Sequence, residues 1–577
     1  MSDSRNTWRY VAVALVLLLA WVGLGCKLVT LHLGYAEPFR ERLERHRNLE
    51  KKIASGRGRI FDRKGRENAL AIDLPLKNVI ADAHSITTNG QIAAVAERLA
   101  PLINMSRAEL AVRLNRPGRR YEPIKRYVEE DVVRRIQALR LPGIFFSDVM
   151  VRHYPQNDSM CHVLGFVNHE GVGSSGIEQV MNRHLVGRMG RLESKLDGAR
   201  REMYDRRTED VAPVNGADVY LTIDQHLQYA AERSIDRIYS GGKAKGAWTI
   251  IQSVKTGEIL AMASRPSFNL NEFTRATEQQ RLNRAIGTVY EPGSTMKALT
   301  LAGVLNEGLV SPSDRVFCEN GAWLHSGRIL NDTHPYGELT VADVLKKSSN
   351  IGTAKMALML GNKRLAHYLA DFGVGARSGI DLPGEEAGIF HPVKDWSGVS
   401  CSRIAIGQGV AVTALQMLDA YCTIANDGVR MRPHVVRRVV GPDGAVLYEQ
   451  KPQELGRPIK RETALLMQKL LARVTEDGGT GVKGRVAGYT VAGKTGTAQK
   501  AVAGGYSSTA YVASFVGFLP AERPEIGVIV VVDEPQSSHM GGVVAAPAFS
   551  EIAGLAVRYL DIEPFKQEYQ MAANGRR

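Results

Sequence analysis

Ser294 and Lys297 stand three residues apart in Glu291-Pro-Gly-Ser-Thr-Met-Lys297, ahead of the apolar run Ala298-Leu-Thr-Leu-Ala-Gly-Val-Leu305. Pro292-Gly293 is a turn signal, and the unbroken run after it predicts a buried helix that Ser294 opens. A three-residue spacing puts hydroxyl and amine on one face of that helix. Such a pair has a chemical use. A serine hydroxyl becomes an effective nucleophile when a neighbouring base takes its proton, and a lysine serves as that base when burial or a nearby cation depresses its pKa. Alone, the spacing recurs by chance in any long chain. Two later stretches change the odds: Ser348-Ser-Asn350, and Lys494-Thr-Gly-Thr497 after the β-like Tyr489-Thr-Val-Ala492. They add a second hydroxyl, an amide, a second cation and the threonine hydroxyls.

The three motifs in this order resemble those of penicillin-recognising serine enzymes. Over nearly its whole length the chain is similar to class B penicillin-binding proteins, and within them to the division type. The resemblance implies a peptidoglycan DD-transpeptidase. Ser294 is then the nucleophile on the bond between the last two D-alanines of a stem peptide, with Lys297 as general base. Ser348 relays the proton to the leaving amine, and Asn350 holds the substrate backbone. Lys494 helps keep Lys297 neutral by like-charge repulsion, while Thr495 and Thr497 bind the donor carboxylate. Gly496 lets the strand edge approach the substrate, and the N–H groups of Ser294 and Thr497 form an oxyanion hole. No cofactor and no metal is implied. The implied partners are stem peptides, β-lactam antibiotics, the cytoplasmic membrane, a membrane-embedded glycan polymerase and other division proteins.

Shared motifs leave an elongation-type transpeptidase and a DD-carboxypeptidase open, with an inactive division scaffold as the remotest reading. The class A β-lactamases carry a water-activating glutamate in an E-x-x-L-N segment between the second and third motifs. Residues 351–493 contain none, since Glu462-Thr-Ala-Leu465 runs on into Leu466. Gly407-Gln-Gly409 resembles a loop that edges the cleft, Tyr511 reads as sheet packing, and His325, His334 and His539 read as solvated.

Positioning these groups calls for an α/β (α+β) domain, the penicillin-recognising transpeptidase fold, with an antiparallel sheet flanked by helices. Trp248-Thr-Ile-Ile251 and Ile259-Leu-Ala-Met262, joined through Lys255-Thr-Gly257, predict a hairpin. Tyr489 to Ala492 and Tyr511 to Val516 predict two more strands, and the run from Ile526 to Val532 a central strand buried on both faces. Helices are expected over 342–347, 352–360, 414–426, 461–475 and 547–559. The resemblance divides the chain into a cytoplasmic stub and anchor (1–35), an elongated α+β pedestal (36–215), a transpeptidase domain (216–562) and a tail (563–577). Three pedestal motifs begin at Arg57, at Arg152-His-Tyr-Pro155 and at Gly176-Ile-Glu178, the last running to Asp197-Gly198. Residues 43–52 read as helix-compatible. Where the family carries Asp and Asn-Pro-Asn, this chain has Ser253 and Asn269-Leu-Asn271.

The apolar run from Tyr10 to Cys26, continuing to Leu31, follows Arg5 and Arg9 and is long enough to span a bilayer once. Positive charge ahead of it places the amino terminus in the cytoplasm and the rest of the chain outside. A cleaved signal or lipid attachment at Cys26 is the alternative. The formal charge of +14 suits an anionic partner, yet the basic stretch 107–140 is interleaved with acids and no nucleic-acid motif occurs. Five scattered cysteines form no metal-like grouping, which predicts buried free thiols and no zinc site.

Overall fold

The computed structural model describes residues 4–34, 47–197, 201–502 and 505–564. By its packing the chain falls into two compact units, Met1–Gly56 with Gly187–Asn215, and Arg57–Val186 with Gly216–Arg577.

In the first unit Ser4–Gly34 is a single helix. Its stretch Thr7–Leu33, 27 residues of mean hydropathy 2.3, buries none of its apolar surface in the protein and has the length and composition of a membrane span. Asn48–Ile53 is a strand, antiparallel to Gly190–Leu196, which also pairs with Glu202–Met203 and Glu209–Val211. This corrects the helix expected over 43–52, of which 43–46 lie outside the described residues. Leu49 and Ile53, an even number of positions apart, share the half-buried face, while Glu50 meets Arg191 across the ladder at 3.5 Å. Gly198 of the third pedestal motif also lies outside the described residues.

The second unit is built on five antiparallel strands: β1 (Gly246–Ser253), β2 (Ile259–Arg265), β3 (Ala492–Val502), β4 (Gly505–Leu519) and β5 (Ile526–Asp533). Their order is β2-β1-β5-β4-β3, so β5 is central and β3 is an edge. The helices used below are α1 (Gln225–Gly241), α2 (Met296–Asn306), α3 (Val341–Lys347), α4 (Asn350–Leu360), α5 (Ala414–Ala425) and α6 (Gly541–Tyr559). Along β5, Val528, Val530 and Val532 join the core that α1 and α6 cover, whereas Ile529 and Val531 join the core beneath α2 and α5. Layers on both faces explain why β5 reads as a continuous apolar run without alternation. Each of these side chains is fully buried, contributing about 1.5–3 kcal/mol.

Several element limits differ from expectation; β4, expected over Tyr511 to Val516, runs from Gly505 to Leu519. The third-motif strand begins at Ala492, not Tyr489, so Lys494 to Thr497 lie inside β3 instead of after it. Helix α6 begins at Gly541, six residues before the start expected at Pro547, and carries that proline internally.

The three pedestal motifs meet at one buried carboxylate in the second unit. Glu178 accepts from Arg57 Nε at 2.7 Å and Arg152 Nε at 2.6 Å, and Tyr154 donates to it at 3.3 Å. Arg152 also reaches Asp73 at 3.1 Å. Removing one partner of a buried ion pair strands the other charges without water. Glu178→Ala is therefore expected to destabilise the fold by about 3–5 kcal/mol, measured as a lower denaturant midpoint, while protein that remains folded keeps normal serine reactivity. An unchanged midpoint would show that this network carries no net stability.

Candidate active site

Gly293–Thr295 forms a single 3-10 turn that runs into α2, whose residues 296–305 are all buried. A helix apolar all round belongs in a core, and this one carries Lys297 with it, fully buried. The turn is held from behind: Gly293 N–H donates to the Gly407 carbonyl at 3.1 Å, and Tyr421 Oη of α5 donates to the Thr295 carbonyl at 2.8 Å. A Cβ on Gly407 would sit 2.2 Å from the Gly293 carbonyl oxygen, so the Gly407-Gln-Gly409 loop reaches the nucleophile turn only as glycine. Ser294 is half-buried, and its hydroxyl makes no hydrogen bond among the described residues. It lies in the first turn, where N–H groups lack intrahelical partners.

Ser348 ends α3 in the left-handed conformation, with φ +62° and ψ 40°. A non-glycine residue there stores about 1–3 kcal/mol of backbone strain. The strained turn aims Ser348 at the amine: Lys297 Nζ donates to its carbonyl at 2.6 Å and lies 3.1 Å from its Oγ. Lys297 thus bonds to Ser348 and not to Ser294. Burial pushes Lys297 down to about 7, against the opposing pull of Asp332. Lys494 is also fully buried, and burial with repulsion from Lys297 holds it well below the usual lysine range. The like-charge repulsion expected to act on Lys297 does not contribute to its shift and is felt instead by Lys494.

Asn350 begins α4, and its Nδ2 donates to the Asn331 carbonyl at 2.7 Å, leaving Oδ1 as an acceptor. Thr495 donates to Thr480 Oγ1 at 2.9 Å, and Thr497 Oγ1 accepts from Gly541 N–H at 3.0 Å. Thr497 is exposed on edge strand β3, free to donate its own proton. A Cβ on Gly496 would lie 2.3 Å from Ser514 Oγ and 2.9 Å from the Pro292 carbonyl oxygen. The close approach that requires glycine is therefore between β3, β4 and the nucleophile turn.

Ser294, Ser348, Asn350, Thr495 and Thr497 border one cleft of about 1010 Å³, with Lys297 and Lys494 buried behind it. Tyr511 also borders it, stacked on His539 with ring centroids 4.6 Å apart, which corrects its reading as packing. His334 and His539 are exposed at the rim, and His325 stacks on Trp323. The four cysteines beyond the apolar helix are buried and free. Among the described residues no group of three His, Cys, Asp or Glu side chains is placed to hold a metal.

Several site residues escape sequence reasoning. Asp332 accepts from Ser349 Oγ at 2.6 Å, from Ile351 N–H at 3.0 Å and from Asn350 N–H, so one carboxylate ties the second motif down. A carboxylate at a helix N-terminus is favourable, but nothing local to Asp332 reveals that α4 starts beside it. Thr480 comes from a remote turn. Glu291 was legible only as part of the first motif; its Oε1 accepts from Gly409 N–H at 2.9 Å and Tyr506 Oη at 3.1 Å.

Residues 247–554 match the model of the penicillin binding protein transpeptidase domain, and residues 52–221 that of the penicillin-binding protein dimerisation domain. The chain is 32% identical to the probable peptidoglycan D,D-transpeptidase PenA of Neisseria gonorrhoeae, over 89% of this chain and 86% of the relative. It is 32% identical to the peptidoglycan D,D-transpeptidase FtsI of Escherichia coli K12, over 89% and 85%. Among solved structures, penicillin binding protein 3 of Mycobacterium tuberculosis complexed with aztreonam superposes with a TM-score of 0.69 at 27% identity, covering 89% of this chain and 98% of that one.

Proposed function

The chain belongs to the class B penicillin-binding proteins, and from that premise we propose that it is a serine peptidoglycan DD-transpeptidase acting in septal wall synthesis. The observation that carries the chemistry is a buried amine held to about 7 behind a hydroxyl that opens onto a substrate-sized cleft. Ser294 Oγ attacks the carbonyl between the last two D-alanines, its proton passing to neutral Lys297 three residues along the same helical turn. Ser348 lies between that amine and the cleft and delivers a proton to the departing D-alanine nitrogen. The N–H groups of Ser294 and Thr497 stabilise the oxyanion, Asn350 holds the stem backbone, and Lys494 with Thr495, Gly496 and Thr497 forms the wall that receives the donor carboxylate. An amine of a second stem then attacks the acyl ester. A new amide bond forms as the carbonyl carbon leaves Ser294 Oγ, which regains a proton. The likeness to the FtsI relative supports the septal role.

We assign residues 36–215 to the pedestal and 216–562 to the transpeptidase domain, with 563–577 as a tail. Thr7–Leu33 is the single anchor, with the amino terminus in the cytoplasm. A carboxy-terminal reporter should be active only outside the cytoplasm; activity inside would reverse this topology. Glycan polymerisation belongs to a separate membrane-embedded partner.

β-Lactams should acylate Ser294 and stay. Fast release needs a base that activates water, and Glu291 is the one carboxylate bordering the cleft among the described residues. Its Oε1 is engaged by Gly409 N–H and Tyr506 Oη, and its Oε2 is buried from solvent, so neither oxygen is open to a water. Acylation followed by a chase should leave the penicilloyl adduct in the intact mass for many minutes. Rapid multiple turnover would place the chain among the hydrolases.

A further inference from the structure

Beside the active-site cleft lies a second recess, of about 700 Å³, and Gln408 borders both. One wall is the hairpin of Ala322–His325 with Arg328–Asn331, and the other is the segment from Ser397 to Ile404. Its charged lining is Arg328 and Arg403, with no carboxylate among the bordering residues, and Ser326, Ser397, Ser400 and Tyr506 add hydroxyls.

Neither arginine has an acidic partner among the described residues. The Arg403 side chain donates once, to the Ile329 carbonyl at 2.9 Å, and the Arg328 side chain makes no ion pair or hydrogen bond among the described residues. Burial pushes the Arg403 pKa down, Tyr506 opposes it, and the charge of Arg328 lowers it further, so the two guanidinium groups feel each other. Two like charges facing a concave, hydroxyl-lined space repel until an anion sits between them. Guanidinium groups match carboxylates in particular, through paired charge-assisted hydrogen bonds.

Transpeptidation brings two stems to one serine. The donor's carboxylate is already accounted for at β3, by Thr495 and Thr497. The acceptor is a stem of the same polymer, so it also ends in a carboxylate, and it must be held while its amine attacks. Resting on the transpeptidase reading above, we infer that the recess walled by Arg328 and Arg403 binds a carboxylate of the acceptor stem and so aligns its amine with the acyl ester on Ser294. The amine nitrogen forms the new amide bond, the carbonyl carbon leaves Ser294 Oγ, and the proton lost by nitrogen returns to that oxygen through Ser348 and Lys297.

The test uses the full chain in detergent with a thioester donor and a synthetic acceptor peptide bearing a free side-chain amine. The acceptor is supplied with its carboxylates free or all amidated. In the Arg328→Gln, Arg403→Gln double variant the KM for the free-carboxylate acceptor should rise about tenfold or more. The KM for the amidated acceptor, and penicillin acylation of Ser294, should stay within about twofold of wild type, which also shows the site is folded. Arg328→Gln alone removes no hydrogen bond from the fold and should move the same KM in the same direction. Equal acceptor KM values in wild type and variant overturn the inference. So does slower acylation by the thioester with unchanged acceptor KM, which would give the recess to the donor. If the wild type takes no penicillin label at all, the transpeptidase reading itself has failed, and this inference with it.

Discussion

Ser294→Ala is expected to abolish penicillin labelling and peptide cross-linking, with a loss on the order of 10⁶-fold in turnover, as for other serine acyl-transfer sites stripped of the nucleophile. The structure gives a reason to expect a clean result. The hydroxyl makes no hydrogen bond among the described residues, and the turn is held by Gly407 and Tyr421 through backbone groups that the substitution leaves alone. Stability should therefore change by no more than about 0.5 kcal/mol. Fluorescent-penicillin labelling read beside a thermal melt separates the two effects. Covalent label persisting on a variant with an unchanged melt would reassign the nucleophile, with Ser348 the next hydroxyl in the cleft. Loss of both label and melt would mean that Ser294 had been structural.

What the sequence made legible follows from what is local. Ser294 and Lys297 share one helical turn, Lys494 to Thr497 are consecutive on one strand, and β5 announces its two-sided burial by an unbroken apolar run. Groups brought together only by tertiary packing left no such trace. Asp332 ends a hairpin, yet it caps the start of a helix that begins eighteen positions later. Arg57, Arg152 and Glu178 sit in three separate motifs whose common point is a single carboxylate. The start of β3 was missed because Tyr489 and Thr490 have strand-like side chains, although the ladder with β4 opens only where Ala492 faces Phe518. The strand at 48–53 is hidden in the sequence because the three charges Glu50-Lys-Lys52 separate Leu49 from Ile53, the two apolar residues of its half-buried face. The cause of the depressed Lys297 pKa also depended on packing. Sequence supplied the second cation, but only the fold shows how completely the amine is buried.

Lys297→Ala should slow acylation by about 10²–10⁴-fold, the range for a positioned general base, and in the wild type the same role should appear as a pH profile. Only the neutral amine can accept the proton of Ser294. Its neutral fraction grows as pH rises through the folded-state pKa, so acylation should climb about tenfold per pH unit below about 7 and level off above it. A lysine at its ordinary value of about 10.4 would keep the rate climbing over three further units, so the two cases are well separated. Asp332 is the charge that opposes burial here, raising the Lys297 pKa. Asp332→Asn should accordingly move the midpoint to lower pH, the reverse of what loss of an activating acid would do. Stopped-flow acylation with a chromogenic β-lactam between pH 5 and 9 measures both. A wild-type midpoint near 10, or a rate that falls as pH rises through 7, would exclude the buried neutral lysine as the base. A profile flat across the range would show that proton removal from Ser294 does not limit acylation.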